Sequence, residues 1–321
     1  MLIDQMNIAE EVVVKYPVFQ AAIRRIQDCF DSFGRSAEPL CCPIVGESGG
    51  GKTTIIDHFE GLHPRIDHAW GMEVPVLVAK IPSRPTVKSL AETLLYALGD
   101  PLWLRGNTVS KSIRLRELFK RCRVRLLALD EFQHFVDVRR ASIPNEVADR
   151  LKEQVEEAKM PIVVLGLERC LEVLKQNEQL RRRFGATVRV GAFCWEREDD
   201  RIAYRAFLHA VQERVTDYAM PNLRDVGMAF RMYYASYGLI GYTMKIIRGA
   251  SRIAAGRRHR NISLEILSES FSQHVWINQM SNPNPFTEDF DPDTAPPIKV
   301  PQADPPIPLS RAQKRLIELH A

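Results

Sequence analysis

The run Gly46-Glu-Ser-Gly-Gly-Gly51-Lys52-Thr53 has the form GxxxxGK[ST]. Residues of these types in this order suit one chemistry, the cradling of a nucleotide's phosphates. Glycines let successive backbone N–H groups close around phosphate oxygens, and a following helix adds the positive end of its dipole. Gly46, Glu47, Ser48, Gly49, Gly50, Gly51, Lys52, Thr53 and Thr54 are therefore the candidate nucleotide-binding residues. Lys52 would reach the β- and γ-phosphates, and the Thr53 hydroxyl would ligate Mg²⁺. About 80 residues further on, Val124-Arg-Leu-Leu-Ala-Leu ends in Asp130 and Glu131. Carboxylates at a strand end next to bound phosphates have two uses. Asp130 would hold the Mg²⁺ hydration shell, and Glu131 would act as general base on an attacking water. ATP and Mg²⁺ are the expected cofactors.

Two clusters of positive charge extend the picture. Leu180-Arg-Arg-Arg-Phe184 offers an arginine to the γ-phosphate of a neighbouring subunit, with Arg183 the first choice and Arg182 the second. Residues 105–125 carry eight Lys/Arg against one acid, a net +7 that suits a phosphate backbone. Thr108 and Ser110 would add hydroxyl contacts. The alternative is a basic helix face that meets only solvent. Arg257, Arg258 and Arg260 form a smaller cluster of the same kind.

Strands alternating with helices must position these groups. Leu40–Val45, Val74–Ile81, Val124–Leu129, Ile162–Leu167 and Thr187–Phe193 read as strands. Lys52–Phe59, Ser89–Leu98, Ser110–Cys122 and Asn145–Lys159 read as helices. That order predicts an α/β fold with a parallel five-stranded sheet and right-handed crossovers. Residues 1–39 read as a helical lead-in broken at Pro17, 40–197 as the α/β ATPase domain, and 198–280 as a small all-α lid. Nine of the chain's 20 prolines fall in residues 281–321. Residues 281–309 therefore read as a Pro-rich linker before a short C-terminal docking helix, Ser310–His320, with Ser310 as N-cap.

With 321 residues, 45% of them hydrophobic, the chain can bury a full core. No apolar run reaches the roughly 20 residues of a membrane span. The N-terminus lacks a basic-then-apolar leader pattern, so the expectation is a cytoplasmic protein without a membrane partner. The six cysteines form no CxxC pair, which argues against zinc, and Cys41, Cys42 and Cys170 lie in or near apolar runs as core thiols do.

The order GESGGGKT, LALDEFQHF, PIVVLGLERC, QLRRRF and YGLIGYTMKIIRGA resembles AAA+ ATPases. More narrowly, Ile81-Pro-Ser-Arg-Pro-Thr-Val-Lys88, Ala97–Pro101 and Leu129–His134 resemble the TniB/TnsC group of transposition regulators, over roughly residues 10–270. The resemblance implies a homo-oligomeric ring or filament, formed with ATP on double-stranded DNA; the sequence shows no base-reading element, so the expected binding has little sequence preference. It implies a link between a target-selector protein of the TniQ kind and a transposase, reset by ATP hydrolysis. The Pro-rich tail would then dock on the transposase. In that group the insert before the Asp130 strand holds DNA, and Lys88, Arg105, Thr108 and Lys111 are the matching positions. There are departures. The fourth strand ends Gly166-Leu167-Glu168, where many AAA+ proteins place a polar sensor. Lys245 stands near where many relatives have a second, arginine sensor. Both point to slow hydrolysis. A helicase-loader-type AAA+ protein, or a nucleotide-gated signalling ATPase without a DNA role, are the other readings.

Overall fold

A computed structural model describes residues 12–36, 38–83, 85–137, 149, 159–175, 178–275 and 283–298. The expected helix over 145–159 lies largely outside these residues, and that over 310–320 wholly so. Residues 12–16 are extended, and helix α1 spans Pro17–Ser32. Pro17, expected to break a helix, instead opens one. At the first helical position the missing N–H has no partner to lose.

Five short strands form one sheet: β1 (Cys42–Val45), β4 (Val76–Lys80), β5 (Leu126–Asp130), β6 (Ile162–Gly166) and β7 (Val188–Arg189). Their order is β4-β5-β6-β1-β7 and every pairing is parallel. This is the parallel five-stranded sheet that the alternating pattern predicts. Alternation along each strand divides the apolar side chains between two layers. Cys42, Ile44, Leu126, Ala128, Val163 and Leu165 face a core shared with α1, α2 (Lys52–Leu62) and the C-terminal helices. Val45, Leu127, Leu129, Ile162 and Val164 face a second core under α3 (Val87–Ala97) and α4 (Thr108–Arg121). Strand β7 is shorter than its apolar run. Val190 N–H donates to the Val45 carbonyl, and the Val190 carbonyl then crosses the phosphate loop. A Cβ on Gly46 would lie 1.8 Å from that oxygen, so glycine is required there.

Between α2 and β4 the chain makes a hairpin, β2 (Ile66–His68) against β3 (Gly71–Glu73), that the apolar pattern does not announce. Helix α3 starts on a reciprocal cap. The Thr86 hydroxyl accepts from Ser89 N–H, and the Ser89 hydroxyl accepts from Thr86 N–H. Asn107 caps α4 in the same sense through Ser110 N–H.

The C-terminal helices are α8 (Glu198–Gln212), α9 (Val226–Ser236), α10 (Ile240–Gly256) and α11 (Leu264–His274). They join the α/β core through aromatic side chains. Phe193 lies 5.7 Å from Tyr16 and 5.1 Å from Tyr204, centroid to centroid. Residues 283–298 fold back onto these helices rather than extending as a linker. Phe286 packs against Phe271 and Phe290 against Tyr234, while the Arg231 guanidinium donates to the carbonyls of Pro285, Thr287 and Phe290. The proline density removes helix and strand from this segment. Its two phenylalanines still bury apolar area, worth roughly 2–3 kcal/mol each. Among the described residues, no helix is long and apolar enough to cross a membrane.

Candidate functional site

The loop between β1 and α2 is built on glycines at 49 and 51, whose φ angles of 80° and 95° are left-handed. Gly51 is the N-cap of α2, so the first N–H groups of the helix open into the loop. Lys52 donates from Nζ to the carbonyls of Gly46 and Glu47, each at 2.8 Å. Burial pulls its ammonium below the usual value of 10.5, against the opposing pull of Asp130 and Glu131. A half-buried ammonium whose hydrogen bonds go to carbonyls favours the arrival of anionic oxygens. The Thr53 hydroxyl donates to Asp130 Oδ2 at 2.7 Å, joining the start of α2 to the end of β5. Asp130 is buried, and its other oxygen accepts from Glu131 N–H at 2.8 Å. Glu131 itself has φ 57°, left-handed for a residue with a side chain.

Ser48, Gly49, Gly51, Lys52, Thr53, Thr54, Asp130 and Glu131 line one cavity. Gly46, Glu47 and Gly50 shape the loop without lining it. These donors fit a triphosphate: loop N–H groups and an ammonium for anionic oxygens, and a hydroxyl–carboxylate pair for a hard cation. Mg²⁺ would be held by Thr53 and Asp130, and the phosphates by the loop and Lys52.

A second, more apolar cavity adjoins the first through Gly51, Thr54 and Gly241, and no motif announced it. Its walls include Val12–Val14, Tyr16, Phe207, Ile240, Met244 and Arg248. A slot of this kind beside a phosphate loop suits a purine ring. Helix α10 reaches the loop directly, Gly241 N–H donating to the Gly49 carbonyl at 2.8 Å. Arg248 lines the slot. Lys245 does not: it is exposed and points over the Tyr242 ring, 5.2 Å from its centroid. The basic residue that α10 brings to this slot is thus three positions later than expected. The helix turn places Met244 and Arg248 on one face. The signal that would have found Arg248 is its i+4 spacing from Met244.

Gln133 also lines the phosphate cavity. Its Nε2 donates to Glu131 Oε2 and its Oε1 accepts from Leu167 N–H at 3.1 Å.

The other expected residues lie elsewhere. Arg182 and Arg183 end α7 (Glu178–Arg183). Cys41 N–H donates to the Arg183 carbonyl, at the far end of β1 from the phosphate loop. From Cys41 to Gly46 the strand makes five steps, roughly 16 Å. The chain's own nucleotide cavity therefore includes neither arginine. Lys88 is exposed and lies 3.9 Å from Glu92, Arg105 is exposed, and Thr108 is half-buried as the first residue of α4. Lys111 is a correction. It is fully buried, with Nζ 2.8 Å from Glu92 Oε1 and 2.8 Å from the Trp103 carbonyl. It ties α4 to α3 and cannot meet a nucleic-acid phosphate. Other cations of the +7 stretch are likewise engaged within the protein. Arg114 pairs with Asp100 at 2.7 Å, Arg123 lies over Trp70 and Arg125 over Phe30. Arg105, Arg116, Lys120, Arg121 and Arg123 all lie in exposed positions. In the helical domain, Arg257 pairs with Glu269 at 2.6 Å.

The family model for the bacterial TniB protein matches residues 5–191, more than half of the chain. The chain belongs to the TniB family. Solved structures similar to this TniB-family chain share its fold at low identity. The ORC2 protein of Aeropyrum pernix, solved as ADPNP-ADP complexes, superposes with a TM-score of 0.60 at 14% identity, covering 85% of this chain and 73% of that one. The ORC1 protein of Aeropyrum pernix in complex with DNA gives 0.60 at 16%, covering 84% and 69%. Cdc6p of Pyrobaculum aerophilum gives 0.59 at 13%, covering 83% and 70%. No curated protein matches the chain in sequence.

Proposed function

We propose that this TniB-family chain is an ATP-hydrolysing switch that assembles on duplex DNA and acts in transposition. The observation that carries the ATPase part is the Thr53–Asp130 contact beside Glu131, on the wall of the phosphate cavity. The loop N–H groups and Lys52 bind and orient the triphosphate. Thr53 and Asp130 would hold Mg²⁺, which would supply charge neutralisation on the phosphate oxygens. Glu131 accepts a proton from water as the water oxygen bonds to the γ-phosphorus. The bond to the bridging oxygen breaks, and ADP and phosphate leave. An arginine of a neighbouring copy, Arg183 or Arg182, completes the charge balance. Their distance from the chain's own cavity supports a role in trans.

The family supports the transposition part: a homo-oligomer, ring or filament, that links a TniQ-type target selector to the transposase and is reset by hydrolysis. Lys88, Arg105 and Thr108 are the DNA-facing candidates. Contacts of this kind address phosphates, so binding is salt-sensitive and blind to sequence. The test is electron microscopy of the full chain with duplex DNA, with and without a non-hydrolysable ATP analogue. Ordered rings or filaments only with both ligands support the reading. Monomers under every condition overturn it.

A further inference from the structure

The end of β6 carries no polar side chain toward the phosphate cavity; Leu167 lines it instead. A polar group reaches that place from the neighbouring strand. Gln133 follows β5 by three residues, and its side chain is buried, 4% exposed. Both ends of its amide are used. Nε2 donates to Glu131 Oε2, and Oε1 accepts from Leu167 N–H at 3.1 Å. The backbone of β6 makes room for it. A Cβ on Gly166 would lie 2.6 Å from Gln133 Oε1 and 3.2 Å from Gln133 N, so this strand end accepts the amide only as glycine. The backbone at Glu131 needs such a support, because its left-handed φ of 57° costs of order 1 kcal/mol or more without surrounding constraints.

We propose that Gln133 is a positioning residue for hydrolysis: its buried amide fixes the Glu131 carboxylate and ties it to the end of β6. This rests on the reading of Glu131 as general base. An amide N–H on one carboxylate oxygen directs the other oxygen to the attacking water. The bond to Leu167 gives that orientation a rigid reference. Any movement of the β6 end thereby reaches the base through one side chain. Gln133 itself exchanges no proton.

The experiment measures ATP turnover by the full chain together with binding of a fluorescent non-hydrolysable ATP analogue. The variants are Gln133→Met, Glu131→Gln and the two combined. Methionine keeps the buried volume and loses both hydrogen bonds. Misplacing a catalytic group by about 1 Å costs ~100-fold. The expected result for Gln133→Met is a fall in kcat of about 30-fold or more, with KM and analogue affinity within about threefold of wild type. Glu131→Gln should lose ~100-fold or more. The double variant should be no slower than Glu131→Gln alone, because Gln133 acts only through Glu131. Gly166→Ala, which pushes the amide aside with Gln133 still present, should also lose kcat and keep analogue binding. Wild-type turnover in Gln133→Met, or losses that multiply in the double variant, would overturn the proposal. So would a Gln133→Met chain that loses analogue binding along with turnover, which would make the residue a structural support. Wild-type turnover in Glu131→Gln would instead remove the general-base reading beneath it.

Discussion

The Thr53 hydroxyl donates to the Asp130 carboxylate across 2.7 Å, although 77 positions separate them in the chain. The contact joins the phosphate loop to the end of β5 and brings together the two residues proposed to hold the divalent cation. Thr53→Ala is expected to weaken ATP binding in Mg²⁺ by about 10-fold, roughly 1.4 kcal/mol. Binding in EDTA should change little. Fluorescence titration in the two buffers checks this, and equal losses in both would refute a cation role.

Lys52 is half-buried and held by two carbonyls, and its partial burial lowers its pKa from 10.5. A lysine with a depressed folded pKa opposes folding while it is charged. Below that folded pKa the cost is constant; it disappears as pH rises from there toward 10.5. Lys52→Met is therefore expected to abolish ATP binding and yet raise the melting temperature of the nucleotide-free chain at pH 7 by about 2 °C. The advantage should shrink as pH approaches 10. A variant that melts lower than wild type at neutral pH would contradict this.

Helix α10 separates two basic residues by one turn. Arg248 lines the apolar slot next to Thr54, and Lys245 is exposed. Arg248→Ala should weaken nucleotide affinity by about 10-fold, the range of one charge-assisted contact. Lys245→Ala should leave it within about twofold. Isothermal titration of both variants distinguishes them, and the reverse ranking would restore Lys245 as the residue facing the nucleotide.

Lys111 and Lys88 share one partner, Glu92, at 2.8 Å and 3.9 Å, but only Lys111 is buried. Lys111→Met should cost about 3 kcal/mol of stability by leaving Glu92 without its buried cation. Lys88→Ala and Arg105→Ala should leave the melting temperature unchanged. Each should weaken duplex binding for all sequences alike and lower the salt-dependence slope by about 1. Thermal melts and binding isotherms at several salt concentrations provide the check.

Much of the site is legible in the chain itself. Glycines 49 and 51 take left-handed φ values that glycine adopts freely, and the strand ending at Asp130 is a plain apolar run. What escapes the sequence depends on neighbours brought from afar. Gln133 stands within the LDEFQH run, yet its role rests on Leu167 across β6. Arg248 lines a slot whose other wall comes from residues 12–14, far from α10 in the chain. The +7 of residues 105–125 counts charges without regard to burial, so it treats Lys111 and Arg105 alike. Residues 283–298 read as linker because proline forbids regular structure, while Phe286 and Phe290 carry the apolar area that holds them down.

The sequence by itself determined the phosphate loop, the two carboxylates at the end of β5 and the alternating order that makes a parallel sheet. Those depend on backbone conformation and on periods of a few residues, which local residue types set. Only the tertiary structure decided which cations are inside, which face of α10 lines the apolar slot and what the Glu131 carboxylate is bonded to. Burial and hydrogen-bond partnership are properties of distant segments packed together, and a residue's type does not specify what will cover it.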